Sequence, residues 1–203
     1  MKPLDQCWLY TFIDTDYLHG RTPFDIARKL CVGGADLIQL RAKKSTAAEV
    51  LQMADEILPI LRDAGVGLVI NDHAEVAEKL GADLCHLGQE DFAAVSRPRT
   101  PFGLSTHSPA QAEQAVKENP AYIAIGPVYA TATKPGVPPV TLDYVRWAAT
   151  NVKIPWFAIG GINLNTLNDV LDVGAQRICV VSAILNAPDV AEACREFRKR
   201  LPS

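Results

Sequence analysis

The chain has 203 residues, of which 48% are hydrophobic and 21% charged, so it can bury a full hydrophobic core. That composition excludes intrinsic disorder, collagen-like repeats and a small scaffold held by disulfides. Its 20 Lys and Arg against 23 Asp and Glu give a net charge of −3, which offers no bulk attraction to nucleic acid or to an anionic membrane. We therefore expect neither nucleic acid nor a membrane among its partners.

The cysteines and the N-terminal residues bear on the compartment. Five cysteines without CxxC spacing, most of them in apolar or helical runs, predict buried free thiols in a reducing environment. The first residues lack the basic and apolar regions of a secretory signal, and no stretch reaches the ~18 apolar residues of a membrane span. We expect a soluble, cytoplasmic protein.

Eight short apolar runs recur along the chain, and we predict them as β-strands. Most are continuous in apolar residues instead of alternating, which is typical of parallel strands covered on both faces. In chain order the predicted strands are Trp8–Ile13, Leu37–Leu40, Gly67–Ile70, Leu84–Leu87, Phe102–Ser105, Tyr122–Ile125, Trp156–Ile159 and Arg177–Val181.

Segments with helical spacing lie between these strands. The clearest is Ala47–Ala64, although Pro59 lies inside it and is expected to kink the helix or end it early. A Gly-Ala-Asp triplet or a related triplet precedes several of the predicted strands. Glycine is favoured at helix ends, so the triplet marks the end of one helix and the approach to the next strand. The other predicted helices are Pro23–Leu30, Ala74–Leu80, Pro109–Lys117, Thr141–Thr150, Leu164–Val173 and Asp189–Leu201.

This alternation predicts a (β/α)8 TIM barrel that forms a single domain over residues 1–203. Eight strands and about eight helices give ~25 residues per unit, which is compact for that fold. An open doubly wound sheet is the alternative, but it usually has five or six strands and a glycine-rich first turn. The first turn here, Asp14-Thr15-Asp16, has neither a GxGxxG motif nor a Walker P-loop.

Polar residues follow the predicted strands at the edge where such a barrel carries its function. Gln39, Arg41 and Lys43 leave the second strand on one side, where an amide and two cations suit an oligo-anion such as a diphosphate. An exposed loop with solvated charges is the alternative. Asp72 and Asp91 end neighbouring strands, and paired carboxylates suit Mg²⁺ shared with substrate phosphates. Asp72 alone could instead cap the next helix.

Two later regions predict phosphate binding. The run from Gly126 to Gly136 is long for a barrel turn, and its hydroxyls and lysine are typical of a mobile anion-binding loop. Gly160-Gly161 and Val181-Ser182 follow the seventh and eighth strands, where barrels often hold phosphate on backbone N–H groups. Two phosphorylated ligands suggest group transfer. His107 is either a general acid or base or a residue that holds a loop.

Seven motifs together resemble the thiamine-phosphate synthase family: QLRAK (39–43), IND (70–72), HLGQED (86–91), GLSTH (103–107), IGPVYATATKPG (125–136), AIGGI (158–162) and VVSAI (180–184). The resemblance runs in order over nearly the whole chain. It implies a (β/α)8 barrel and an Mg²⁺-dependent transferase of thiamine biosynthesis. Such an enzyme joins 4-amino-5-hydroxymethyl-2-methylpyrimidine diphosphate to 4-methyl-5-(2-phosphoethyl)thiazole and releases diphosphate.

The resemblance also implies roles for individual residues. The pyrimidine diphosphate would be bound by Gln39, Leu40, Arg41, Ala42, Lys43, Asn71, Ser105 and Lys134. Mg²⁺ would be bound by Asp72 and Asp91. The thiazole phosphate would be bound by Thr131, Ala132, Thr133, Gly161, Val181 and Ser182. The catalytic residues would be Arg41, Lys43, Ser105 and Lys134, and no protein nucleophile is required.

Two alternatives stay open beside this resemblance. A thiazole tautomerase shares the barrel and uses a histidine after the fifth strand, the position of His107, but it has no need of the diphosphate-binding residues. A non-catalytic sensor of thiamine phosphates is the other. The sequence leaves open whether the chain forms a homo-oligomer and whether it accepts the carboxylated thiazole phosphate.

Overall fold

The protein is a closed barrel of eight parallel strands, as the sequence predicts. The computed structural model describes residues 1–94, 97–131, 136 and 138–202. The strands are β1 Leu9–Asp14, β2 Leu37–Arg41, β3 Gly67–Asn71, β4 Leu84–Leu87, β5 Phe102–Thr106, β6 Tyr122–Ile125, β7 Trp156–Ile159 and β8 Ile178–Val180. They pair in chain order, and β1 also pairs with β8, which closes the barrel. The predicted (β/α)8 fold is therefore confirmed.

Helices connect the strands around the outside of the barrel. They are α1 Pro23–Val32, α2 Ala47–Asp63, α3 Ala74–Leu80, α4 Gln89–Ala94, α5 Pro109–Lys117, α6 Thr141–Asn151, α7 Leu167–Asp172, α8 Ser182–Leu185 and α9 Val190–Arg198. Short 3-10 turns lie at Leu4–Gln6 and Thr15–Tyr17. The sequence misses α4 and α8 because helices of six and four residues are too short to show a hydrophobic period.

The helix α2 shows that Pro59 does not end a helix here. A reciprocal cap between Thr46 and Glu49 starts α2, and the helix continues through Pro59 to Asp63. Of the two predicted effects of Pro59, a kink or an early end, the early end does not occur. A proline in a helix interior costs about 3 kcal/mol, whereas each fully buried apolar side chain contributes about 1.5–3 kcal/mol. Four such side chains face the core from α2, Val50, Ile57, Leu58 and Leu61, together with the smaller Ala54. Their burial outweighs the cost of the proline.

The Gly-Ala-Asp triplets anchor the amino-terminal ends of strands. The buried carboxylate of Asp36 accepts hydrogen bonds from the N–H groups of Trp8 and Leu9, at 2.8 and 3.0 Å. Asp83 accepts one from the N–H of Leu68 at 2.9 Å. Asp36 precedes β2 and fixes the start of β1. In the same way, Asp83 precedes β4 and fixes the start of β3. The sequence explains the glycine of the triplet but not this role of its aspartate.

Aromatic rings fill the interior of the barrel. Tyr10, Tyr122 and Phe157 come from β1, β6 and β7, and their ring centroids lie 5.3–5.8 Å apart in edge-to-face contacts. A Cβ atom at Gly103 of β5 would lie 2.1 Å from Cζ of Tyr122. The tyrosine ring therefore occupies the space that any side chain at position 103 would need.

All five thiols are free, and all but the partly buried Cys31 are buried, as the sequence predicts. Burial raises the pKa of the Cys7 and Cys31 thiols to about 11 and that of the Cys85 and Cys194 thiols to about 12. Among the helices in the described ranges, none combines the length and the apolar character that a membrane crossing requires.

Candidate active site

A single cleft at the carboxyl ends of the strands brings most of the predicted residues together. Its walls come from every strand and from the loops after β2 to β8, as expected for a barrel of this kind. The predicted residues that line it are Gln39, Arg41, Lys43, Asn71, Asp72, Asp91, Ser105, Thr131, Gly161, Val181 and Ser182.

Five predicted residues are not placed in the cleft. Leu40 and Ala42 are 0% and 5% exposed and are absent from the described lining. Side chains alternate along a strand, so the residues that separate Gln39, Arg41 and Lys43 face the other side. Three more predicted residues, Ala132, Thr133 and Lys134, lie outside the residues that the structure describes.

A buried carboxylate holds the guanidinium of Arg41. The Nη1 atom of Arg41 lies 2.7 Å from Oδ2 of Asp14, and these side chains are only 13% and 1% exposed. The two residues are paired in the register of β1 and β2. The other oxygen of Asp14 accepts the N–H of Asp16 at 3.1 Å. Asp14 therefore fixes the position of Arg41, a role that the sequence does not indicate.

The side chain of Asp72 faces Lys43 and not the helix that follows. Its Oδ2 atom lies 2.5 Å from Nζ of Lys43, and its own N–H donates to the carbonyl of His86 at 2.9 Å. Asp72 adopts a left-handed backbone conformation (φ 65°), and His73 occupies the capping position before α3. The helix-cap alternative for Asp72 is therefore wrong.

Asp91 reaches the cleft from the first turn of α4. Its Oδ2 atom lies 2.7 Å from the place that a Cβ atom would take at Gly88, so the carboxylate packs closely against that glycine. In the described ranges no three His, Cys, Asp or Glu residues are grouped as a metal site. Any cation bound between Asp72 and Asp91 therefore needs further oxygen ligands from water or substrate.

Five buried side chains form a continuous hydrogen-bonded chain beneath the cleft, which we name the polar relay: Gln39, Tyr10, Tyr122, His86 and Ser105. The amide nitrogen of Gln39 donates to the hydroxyl of Tyr10, which lies 2.9 Å from the hydroxyl of Tyr122. That hydroxyl lies 2.9 Å from Nδ1 of His86, and Nε2 of His86 lies 2.9 Å from Oγ of Ser105. The relay thus connects Gln39 on β2 with Ser105 on β5, and both line the cleft.

The two tyrosines of the relay keep their protons. Burial raises the pKa of Tyr10 and of Tyr122 well above the ordinary value for a phenol. The sequence does not indicate either role, because each tyrosine lies within an apolar strand and is interpreted as part of the hydrophobic core. The sequence also assigns no role to His86, which lines the cleft.

His107 lines the cleft and contacts the loop after β6. Its Nδ1–H donates to the carbonyl of Gly126, and its backbone N–H donates to Oε1 of Gln111 at 2.8 Å. Of the two roles left open by the sequence, these contacts favour holding the loop.

Two glycines shape the opposite side of the cleft. Gly160 and Gly161 both have positive φ, 105° and 66°, after β7. The carbonyl of Gly160 accepts the N–H of Tyr129 at 3.0 Å, and a Cβ atom at Gly161 would lie 2.7 Å from Cβ of Tyr129. Because β7 pairs with β8, Gly161 and Ser182 face the same region of the cleft.

The fold and the cleft define the chain as an enzyme of the (β/α)8-barrel class. A sequence model for a family described as thiamine monophosphate synthase matches residues 9–184. The chain belongs to this family.

Known relatives match most of the chain. It is 45% identical over 181 residues to the thiamine-phosphate synthase of Thermus thermophilus, covering 87% of this chain and 88% of the relative. It is 42% identical over 201 residues to that of Acidothermus cellulolyticus, covering 95% and 94%. A solved thiamine phosphate pyrophosphorylase from Pyrococcus furiosus superposes with a TM-score of 0.86 at 28% identity, covering 98% and 96% of the two chains.

Proposed function

We propose that this protein couples 4-amino-5-hydroxymethyl-2-methylpyrimidine diphosphate to 4-methyl-5-(2-phosphoethyl)thiazole, or to its carboxylate, and releases thiamine phosphate and diphosphate. One observation carries the proposal: residues from β2, β3 and β4 that suit a diphosphate share a cleft with residues after β7 and β8 that suit a phosphate. Transfer between two phosphorylated molecules requires both to be held side by side. The names of the relatives support this reaction.

The diphosphate would lie against Arg41 and Lys43. Asp14 already fixes the guanidinium of Arg41, and a guanidinium recognises phosphate oxygens with two parallel hydrogen bonds. Lys134 would add a third cation from the loop after β6, and Asn71 would add an amide from the end of β3. The phosphate of the thiazole would lie near Thr131, on backbone N–H groups at Gly160-Gly161 and Val181-Ser182.

The charges of the cleft support a divalent cation at the diphosphate. In the described part of the chain Arg41 and Lys43 are each paired with a carboxylate, which offsets part of the positive charge that they present to a diphosphate. Asp72 and Asp91 provide hard oxygen ligands, and two carboxylates with substrate phosphates are the donor set that Mg²⁺ prefers. Mg²⁺ held by these two residues would neutralise charge on the leaving diphosphate.

The reaction then needs stabilisation of charge and alignment of the two substrates. The bond between the pyrimidine methylene and the diphosphate oxygen breaks, and its electron pair leaves with the diphosphate. Arg41, Lys43 and Lys134 stabilise the charge that develops on this leaving group. The aminopyrimidine ring delocalises the positive charge left on the methylene, to which the aligned thiazole nitrogen forms the new bond.

A coupling assay tests the proposal. Purified protein with Mg²⁺ and both substrates should form thiamine phosphate, followed by chromatography, and a chelator should abolish the product. Formation of no thiamine phosphate together with isomerisation of the thiazole carboxylate phosphate would identify a tautomerase instead.

Two variants test the metal ligands. Asp72→Asn and Asp91→Asn should each lower turnover at limiting Mg²⁺ by roughly tenfold or more, since changes around metal sites commonly cost that much. Asp55→Asn, an exposed carboxylate on α2, is the matched control and should leave turnover unchanged. Unchanged turnover in both cleft variants would contradict the metal assignment, although the coupling activity itself would stand.

A further inference from the structure

Two tyrosines that are absent from the described lining of the cleft connect residues on two of its sides. We propose that Tyr10 and Tyr122 are positioning residues that couple the two ends of the polar relay, so that Ser105 presents a hydrogen-bond donor to the substrate when Gln39 presents an acceptor. The inference rests on the proposed function, because it takes the substrate to be the aminopyrimidine. It also makes a statement about the protein alone, which can be tested without any substrate.

The polarity follows from the number of protons on each group. A hydroxyl donates only one hydrogen bond, and an imidazole with one ring proton donates from only one nitrogen. The Tyr10 oxygen accepts from the Gln39 amide, and among the described contacts the Tyr10 proton has one acceptor, the oxygen of Tyr122. The Tyr122 proton then goes to Nδ1 of His86, so His86 carries its proton on Nε2 and donates it to Oγ of Ser105. The proton of the Ser105 hydroxyl remains for a ligand.

The other end of the relay has the opposite character. The Oε1 atom of Gln39 is buried and has no hydrogen-bond partner among the residues that the structure describes. An acceptor of this kind is costly to leave unpaired and is satisfied when a ligand donates to it. Turning the Gln39 amide over would reverse both tyrosine hydroxyls and the His86 proton, and Ser105 would then become the acceptor. The two ends are therefore always opposite in character.

The polarity of the relay favours heteroaromatic rings with one particular pattern of hydrogen-bond donors and acceptors. A 4-aminopyrimidine presents an N–H donor beside a ring-nitrogen acceptor, and these two groups are the complements in hydrogen-bonding type of an acceptor at Gln39 and a donor at Ser105. A 4-oxopyrimidine presents the reverse, a carbonyl acceptor beside a ring N–H donor. A site that hydrogen-bonds the 4-aminopyrimidine has its own buried groups unpaired when a 4-oxopyrimidine is bound. It therefore discriminates strongly between the two rings.

The first test measures the His86 tautomer in the ligand-free protein by ¹⁵N NMR. We expect protonation at Nε2 in the wild type and a changed tautomer balance in Tyr122→Phe, which removes the donor to Nδ1. Tyr144→Phe is the matched control, because it removes another buried hydroxyl, bonded to Thr106 at 2.7 Å, outside the relay. It should lower stability without changing the His86 signal. Protonation of wild-type His86 at Nδ1 would overturn the polarity.

The second test measures discrimination by calorimetry with Mg²⁺ present, using the diphosphates of the 4-amino and 4-oxo hydroxymethylpyrimidines. Binding is used because the amino group also affects the rate of bond cleavage. We expect the wild type and Tyr144→Phe to bind the amino compound roughly 100-fold or more tightly than the oxo compound. We expect this ratio to fall by roughly tenfold in Tyr122→Phe, as when one interaction of about 1.4 kcal/mol is lost.

The outcomes separate the inference from the proposed function. An unchanged ratio in Tyr122→Phe would overturn the positioning role and leave the coupling activity intact. If the wild type binds neither diphosphate, the proposed function fails and the tautomer measurement decides the relay. Tyr10→Phe is the second variant, for use if Tyr122→Phe does not fold, since it breaks the relay one step nearer Gln39.

Discussion

Replacing Asp14 by asparagine removes the charge that holds Arg41 in the cleft. Asparagine keeps an oxygen for the N–H of Asp16, but its amide nitrogen then faces the guanidinium, donor against donor. Breaking a buried ion pair costs about 3–5 kcal/mol, and the 13% exposure of the Arg41 side chain favours the lower figure. For a chain of this length about 3 kcal/mol corresponds to a fall of roughly 6–12 °C in Tm.

The same change should impair binding and catalysis through Arg41. A guanidinium that has lost its fixed orientation aligns the diphosphate poorly, so we expect kcat/KM for the pyrimidine diphosphate to fall roughly 10- to 100-fold. Thermal unfolding gives the stability change, and steady-state kinetics with each substrate varied in turn gives the catalytic one. The KM for the thiazole phosphate should change little, because its proposed site lies across the cleft.

A neighbouring ion pair provides the control for Asp14. Asp16 lies 2.6 Å from Lys44, and these side chains are 43% and 81% exposed. Exposed ion pairs contribute little to stability, so Asp16→Asn should have the same Tm as the wild type. If Asp14→Asn also has the wild-type Tm and the wild-type kcat/KM, the assignment of Asp14 as the residue that positions Arg41 is refuted.

Two further predictions concern the glycines and the thiols. Gly161→Ala and Gly65→Ala both place a Cβ at positive φ, which costs about 1–2 kcal/mol, but only position 161 has Tyr129 and Ala130 atoms within 3 Å of the new carbon. Only Gly161→Ala should raise the KM for the thiazole phosphate. An equal KM in both variants would contradict the proposed binding of that phosphate at Gly161. A thiol pKa of about 11 leaves roughly 0.1% thiolate at pH 8, so native thiols should react slowly with a disulfide reagent, faster as the pH rises, with Cys31 first. Unfolding should release all five, and rapid reaction of several in the native protein would contradict their burial.

The fold was predictable because each strand carries its own local signal. A strand covered on both faces is nearly continuous in apolar residues, and eight such runs with helical segments between them leave few topologies open. The two shortest helices escaped because one or two turns show no period. Of the kink or early end predicted at Pro59, the early end does not occur, because local helix propensity contributes less than the packing of the buried face of α2.

The rim of the cleft was also predictable, since closure of the barrel brings all strand ends to one face. Knowing that Asp72 follows β3 and Gly161 follows β7 suffices to place both in the cleft. The support beneath the rim was not predictable. Asp14 and Arg41 are 27 residues apart, and Tyr10 and Tyr122 are 112 residues apart, so their contacts exist only in the assembled barrel. A tyrosine in an apolar strand carries no sign of its hydroxyl's partner.

The contact between Gly103 and Tyr122 restricts the order in which this barrel can change during evolution. Any side chain at position 103 would overlap the tyrosine ring, so position 122 must become smaller before position 103 can become larger. The first of these steps removes the hydroxyl between Tyr10 and His86 and so interrupts the polar relay. A lineage that keeps the relay therefore keeps glycine at position 103, although Gly103 is absent from the described lining of the cleft. Residues 103 and 122 are then retained together.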